Sequence, residues 1–349
     1  MQVIKEVTAA DLDDRMSEET KTFVTRFLQT TDPRAITKLP LSVVRETRNN
    51  NARLMNAQLN IPDLVEKEFF IKNDKDGFEV PATAYIPSGT KPDSPLVVFF
   101  HGGGWTFCSR ITHHFSVATL AESSKCIWLS VEYRLGPEFK HPYGLDDCIS
   151  VTKWAIENKS KELNLNDNVK VGVCGMFSLL NKKLFVSTYF CYLLAGDSAG
   201  GTYAATISHC LREQLSFQML VYPCVHLSIK TNSKEEFSRD CHILIPDVLD
   251  FFGKCILNSS EDLNDPTLSP MLHENFSNLP KALIVSAELD PLVDQSFLYK
   301  DKLIEHGNSC DLHVIKGVHH GYFNIPLFMP NAFKETMGHF VEFLNKIKS

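Results

Sequence analysis

The sequence contains no run of apolar residues long enough to cross a bilayer. Its longest mostly apolar stretch, Leu184–Ala195, falls well short of the roughly 20 residues that a spanning helix needs. It has no Lys/Arg cluster, and its formal net charge of −7 gives no support for a nucleic-acid partner. The 10 cysteines form no CxxC pair and no metal-ligand spacing. The opening "MQVIKEVTAADLDDRMSEETK" lacks an apolar core, and neither a secretory leader nor a membrane anchor is expected. Free thiols in a reducing cytoplasm are the simplest expectation, although an even cysteine count leaves disulfide pairing open. Internal repeats and low-complexity linkers are also missing.

What is present is ordinary globular material: 44% hydrophobic and 22% charged residues over 349 positions, enough for one large α/β domain or two smaller ones. Residues 1 to about 60 are polar and read as mostly helical. Lys67–Asn73 and Phe78–Ile86 read as two strands joined by an Asp-Gly turn. Buried-type runs then alternate with helical patterns: "PLVVFFHGGG", "CIWLSVEYRL", "FQMLVYP", "KALIVSAELD" and "CDLHVIKG", with helices expected at Gly144–Leu163, Val293–His306 and Ala332–Ile347. Near-continuous apolar strands between helices predict a mostly parallel sheet covered on both faces. His226–Phe276 interrupts the rhythm, and its helical part, Ile245–Leu257, is placed as a cap over one edge.

Three groups of residues carry chemistry. In "GDSAGG", Gly196 and Gly200 flank Ser198 where a strand must turn sharply into a helix, presenting the hydroxyl above the sheet. Alone, this is as easily a Gly/Ser-rich turn. In "VVFFHGGGWTF", consecutive glycines after a buried strand let the backbone N–H groups of Gly102 and Gly103 approach a ligand, with Ala199 N–H as a third donor for an oxyanion. A glycine run alone is only a loop, and His101 reads as its organiser. "AELDPLVD" then puts Asp290 at the end of an apolar strand, and "KGVHHGYF" puts His319 and His320 after the last one. Asp290 also fits a helix N-cap, and His319 competes with His320. The order Ser…Asp…His, each after its own strand, is the α/β-hydrolase order.

At this point the residues resemble the hormone-sensitive-lipase-like (GDXG) family of α/β-hydrolases, which includes arylacetamide deacetylases and soluble carboxylesterases. "HGGGW" (101–105), "EYRLGPE" (132–138), "HPYGLDDC" (141–148), "GDSAGG" (196–201), "LSPM" (268–271), "AELDPLVD" (287–294) and "HHGYF" (319–323) match in order, over roughly residues 80 to 345. The resemblance implies Ser198 as nucleophile, Asp290 as acid, His320 as base, and Gly102, Gly103 and Ala199 as oxyanion donors. It also implies a helical cap built from residues 1–65 and an insertion at about 226–276, with residues 66–349 as the catalytic domain. Where the family has YRLAPE, this chain has YRLGPE.

The departure lies in "DNVKVGVCGMFSLLNKKLFVSTYFCYLLAGDSAGG". Two strand candidates precede the turn, where the family runs one strand almost directly into it. Removing Val173–Ala195 leaves "DNVKVGGDSAGG", and the extra piece is bounded by codons compatible with GT and AG. An atypical insertion at about 173–195, read as a retained intron, is therefore expected, with a lineage-specific loop as the alternative. Covalent adjacency to Ser198 predicts that Tyr189–Ala195 takes the central slot and displaces "VKVGV".

The expected function is a serine carboxylic-ester hydrolase acting on small-molecule esters of short to medium acyl chain, with amides open to the same machinery. That machinery implies no metal or organic cofactor. The alternatives are a non-catalytic small-ligand-binding protein, as in the similar plant gibberellin receptors that lack the catalytic histidine, or an inactive product of the intron-bearing gene.

Overall fold

The structure, a computed structural model, describes residues 6–57, 59–176 and 199–348. Two helices open the chain, α1 (Glu18–Thr30) and α2 (Leu41–Asn56). The first is capped by Ser17, whose hydroxyl accepts from Thr20 N–H at 3.3 Å. A hairpin follows, β1 (Val65–Lys72) and β2 (Glu79–Ile86), closed by Gly77 at φ 74° and by Asn73 N–H donating to Phe78 O at 2.7 Å. The Asp-Gly turn lies where the sequence predicts it.

Strands and helices then alternate: β3 (Leu96–His101), α3 (Arg110–Ser124), β4 (Ile127–Val131), α4 (Tyr143–Leu163), β5 (Val171–Met176), α5 (Ala199–Cys210) and β6 (Phe217–Val221). After β6 come α6 (Asn232–Glu236) and α7 (Pro246–Ile256), within the segment that breaks the sequence rhythm. The chain closes with β7 (Lys281–Leu289), α8 (Val293–Glu305), β8 (Cys310–His319) and α9 (Pro330–Lys348). The described strands form one 8-stranded sheet in the order β1-β2-β4-β3-β5-β6-β7-β8. Pairing is parallel from β4 through β8 and antiparallel at the β1–β2 and β2–β4 edge.

Alternation along β3 divides the core. Val97 and Phe99 pack with residues of α1, α3 and α9, whereas Leu96, Val98 and Phe100 pack with residues of α4, α5 and α8. Both faces are therefore covered, which is why the strands read as unbroken apolar runs.

One expectation is overturned. The central slot belongs to Val171–Met176: Leu96–His101 pairs with Val171–Met176 on one side, and Gly172–Gly175 pairs with Phe217–Leu220 on the other. "VKVGV" is not displaced, because its backbone groups are satisfied by both neighbours and Val173 and Cys174 are fully buried. Tyr189–Ala195, expected in that slot, lies outside the described residues.

Candidate active site

The register of β7 and β8 brings two candidate residues together. Leu289 is paired with His319, so the next residue on each strand, Asp290 and His320, emerge side by side at the carboxyl end of the sheet. His320 Nδ1–H donates to Asp290 Oδ2 at 2.6 Å, and both side chains are buried. The other carboxylate oxygen, Oδ1, accepts from Leu292 N–H at 2.8 Å, which fixes the carboxylate at the entry to α8. With Nδ1–H committed to the acceptor-only carboxylate, the lone pair of the neutral imidazole sits on Nε2.

His319 faces elsewhere. Its Nδ1–H donates to His320 O at 2.5 Å, its ring stacks on Phe23 of α1 with centroids 5.4 Å apart, and burial pushes it down to about 4. The structure thus pairs Asp290 with His320 and packs His319 against the N-terminal helix.

The glycine loop follows β3. Gly103 adopts φ 110°, and a Cβ there would lie 2.3 Å from Phe107 O. Phe107 N–H donates back to Gly103 O at 2.9 Å, closing the loop into a tight turn. His101 Nδ1–H donates to Gly102 O at 2.8 Å, and its ring stacks on Tyr133 with centroids 4.2 Å apart. Burial holds His101 down at about 4, so it is a neutral organiser of the loop at ordinary pH.

Ala199 opens α5 and is buried. The first turn of α5 packs directly on the end of β3: a Cβ on Gly200 would lie 2.3 Å from Phe100 O and 2.9 Å from His101 O. The glycine loop therefore leaves β3 beside the first turn of α5. On its other side the same turn meets the end of β6, where Thr202 Oγ1–H donates to Cys224 O at 2.6 Å. Tyr222, at φ 33°, places its ring 4.6 Å from that of His320. Gly196 and Ser198 lie outside the described residues. The first residue after Ser198 begins α5, so the described parts of the site converge on its N-terminus.

A cavity of ≈ 580 Å³ opens beside these elements. Its wall includes Trp105 from the glycine loop, Leu249 and Phe252 from α7, and Pro291 and Leu292 directly after Asp290. The sequence reading missed Tyr222. Its one signal is the Tyr-Pro pair at the end of an apolar run, a strand end where ligand sites of open sheets collect. Also missed was the reason for "EYRLGPE" and "HPYGLDDC". Arg134 Nη2 and Nε donate to the two oxygens of buried Asp147 at 2.7 and 2.9 Å, tying one motif to the other beneath the site.

Among the described residues, no group of three or more His, Cys, Asp or Glu side chains is arranged to hold a metal ion. Among the same residues no helix is long and apolar enough to cross a membrane, and every cysteine is a free thiol.

A parallel sheet with its carboxyl-end acid–histidine pair, glycine loop and helix N-terminus defines an α/β-hydrolase. The sequence profile of the family described as "alpha/beta hydrolase fold" matches residues 97–324, and the chain belongs to that family, in its hormone-sensitive-lipase-like branch. It is similar to an arylesterase of Saccharolobus solfataricus, 31% identical over 252 residues that span 71% of this chain and 74% of the relative. Carboxylesterase NlhH of Mycobacterium tuberculosis is 31% identical over 297 residues, 82% of this chain and 85% of that one. Among solved structures, a hyperthermophilic esterase of Pyrobaculum calidifontis superposes with a TM-score of 0.78 at 27% identity, covering 95% of this chain and 98% of its own.

Proposed function

We propose that the chain is a serine carboxylic-ester hydrolase acting on short- to medium-chain acyl esters. Ser198 is the nucleophile, His320 the general base, and Asp290 the acid that orients it. The backbone N–H groups of Gly102, Gly103 and Ala199 hold the oxyanion. The observation that carries this reading is the buried 2.6 Å hydrogen bond from His320 to Asp290 at the ends of neighbouring strands. The esterase relatives and the glycine loop beside the start of α5 support it.

In this mechanism His320 Nε2 takes the Ser198 proton as the hydroxyl oxygen attacks the ester carbonyl. The carbonyl oxygen becomes an oxyanion facing the three N–H donors. Its collapse breaks the ester C–O bond, and His320 returns the proton to the departing alcohol. Water, deprotonated by the same histidine, then releases the acid and restores Ser198. Asp290 keeps the proton on Nδ1, so Nε2 is always the base. Amides are open to the same steps with an amine leaving.

The acyl chain enters the cavity under α7. We read α1, α2 and the α6–α7 segment as a cap over it, on the support of Phe252 in its wall and of Arg34, which bridges the N-terminal region to Asp240 and Asp247 at 2.9 and 2.8 Å. The free thiols suit a cytoplasmic location. The test is a series of p-nitrophenyl esters of increasing acyl length, with amide analogues, on protein isolated from the cells that make it. Turnover peaking at short or medium chains is expected. A protein that melts cooperatively and turns over none of them is instead a ligand-binding relative without catalysis.

A further inference from the structure

The end of β5 and the start of α5 are in direct contact. A Cβ on Gly175 would lie 2.0 Å from the carbonyl carbon of Gly200, 2.2 Å from its oxygen and 2.3 Å from Gly201 N. No side chain fits there. Such an approach is what a sharp strand-to-helix turn demands of the glycine that leads into it, with the second glycine on the helix above. The motif assigns the leading position to Gly196, the residue two before Ser198. The geometry gives it to Gly175, which is separated from Asp197 by the 21 residues Met176–Gly196.

We infer that Gly175 is the glycine that positions the nucleophile, and that the working enzyme joins Gly175 directly to Asp197, without Met176–Gly196. This rests on the reading of Ser198 as nucleophile. The joined sequence is "VKVGVCGDSAGG", in which Gly175, Ser198 and Gly200 keep the glycine–serine–glycine spacing of the turn, and β5 keeps all its pairs through Gly175. Gly175 and Gly200 then stand four residues apart, the separation at which a tight turn brings two backbones into contact.

Steric limits exclude the other boundary. Removing Val173–Ala195 would align Gly196 with the slot of Gly175 and draw Lys170 into the slot of Gly172. There a Cβ would lie 2.3 Å from the Phe217 ring, and the sheet is covered on both faces. An ammonium group in that position has no partner and no water. Codons agree with the joined form. Gly175–Met176 can be written G-GT-ATG and Ala195–Gly196 GC-AG-GN, so excision from GT to AG leaves a single glycine codon. The apolar residues in between, among them Phe177, Leu179, Phe185 and Phe190, are then translated intron.

Two measurements test this. Recombinant protein lacking Met176–Gly196 should melt cooperatively and exceed the full chain in hydrolysis of a short p-nitrophenyl ester by about 100-fold, the scale expected when a nucleophile is misplaced by an ångström or so. Gly175→Ala in the shortened protein should abolish that gain. A shortened protein that fails to fold, beside a full chain labelled at Ser198 by a fluorophosphonate, overturns the join and leaves the hydrolase reading intact. A shortened protein that folds better than the full chain but is neither labelled nor active keeps the join and overturns the hydrolase reading. The deciding experiment uses the native protein. A tryptic peptide running from Val171 to Gly175 and straight on to Asp197–Arg212 is expected, and recovery of Leu184–Arg212 as a major peptide in its place contradicts the inference.

Discussion

His320 and Asp290 occupy equivalent places one step beyond a register pair of parallel strands, and their buried side chains meet at 2.6 Å. Their geometry sets a clear expectation for substitutions. Asp290→Asn offers an amide in place of an acceptor-only carboxylate and permits the wrong tautomer, so kcat should fall by on the order of 10⁴-fold. His320→Ala should cost at least as much and Ser198→Ala about the same, because the three act as a unit. His319→Ala should retain most activity. Loss of activity in His319→Ala with retention in His320→Ala would reverse the assignment of the base.

Gly103→Ala probes the oxyanion loop. The added Cβ meets Phe107 O at 2.3 Å in a backbone region that side chains rarely adopt, so the loop must shift. Displacing one donor should lower kcat by about 10²–10³-fold, with a fall in melting temperature from about 1–3 kcal/mol of backbone strain. An unchanged kcat would remove Gly103 from the catalytic machinery.

Stability should fall on the acid side. Burial holds His101 and His319 down at about 4 and His209 at about 3, whereas an unfolded histidine titrates near 6.5. Between those values the unfolded chain binds more protons than the folded one. The stabilisation from neutral burial is therefore complete above about pH 6.5 and is lost as pH falls towards 4, on the order of 3 kcal/mol for each fully buried ring. Melting temperature should decline through that window, and less steeply in His319→Phe, which keeps the stack on Phe23 without titrating. A flat profile from pH 7 to 5 would contradict neutral burial.

Arg134 and Asp147 make a stability prediction distinct from catalysis. Asp147 is fully buried and receives two side-chain bonds from Arg134 as well as Asn73 Nδ2–H at 2.6 Å. Asp147→Ala removes the bidentate acceptor, leaves Arg134 on Asp76 alone at 2.7 Å and strands the buried Asn73 amide, so it should cost about 2–3 kcal/mol in urea denaturation. A loss below 1 kcal/mol would show the pair to be solvated.

The sheet was legible where apolar runs were unbroken, as in "LVVFFH" of β3, and the acid and base where each follows such a run. Helix α3 was not, because its buried face is built from Thr112, His113, Ser116 and Ser124 as much as from Val117 and Leu120, and carries no clear apolar stripe. Covalent adjacency to Ser198 points to Tyr189–Ala195 for the central strand, whereas two-sided hydrogen bonding decides which segment holds a buried slot and gives it to Val171–Met176. For Tyr222 the Tyr-Pro pair marks only a strand end; its contact with His320 depends on which strand lies beside which.

The most direct measurement is fluorophosphonate labelling with the adduct located by mass spectrometry, on protein lacking Met176–Gly196. A phosphonate reacts only with a serine that a neighbouring base has activated inside an intact site. One adduct per chain on Ser198, abolished in Ser198→Ala and in His320→Ala, is the predicted result. A cooperatively folded protein that takes no label, or whose label persists in Ser198→Ala, would contradict the account.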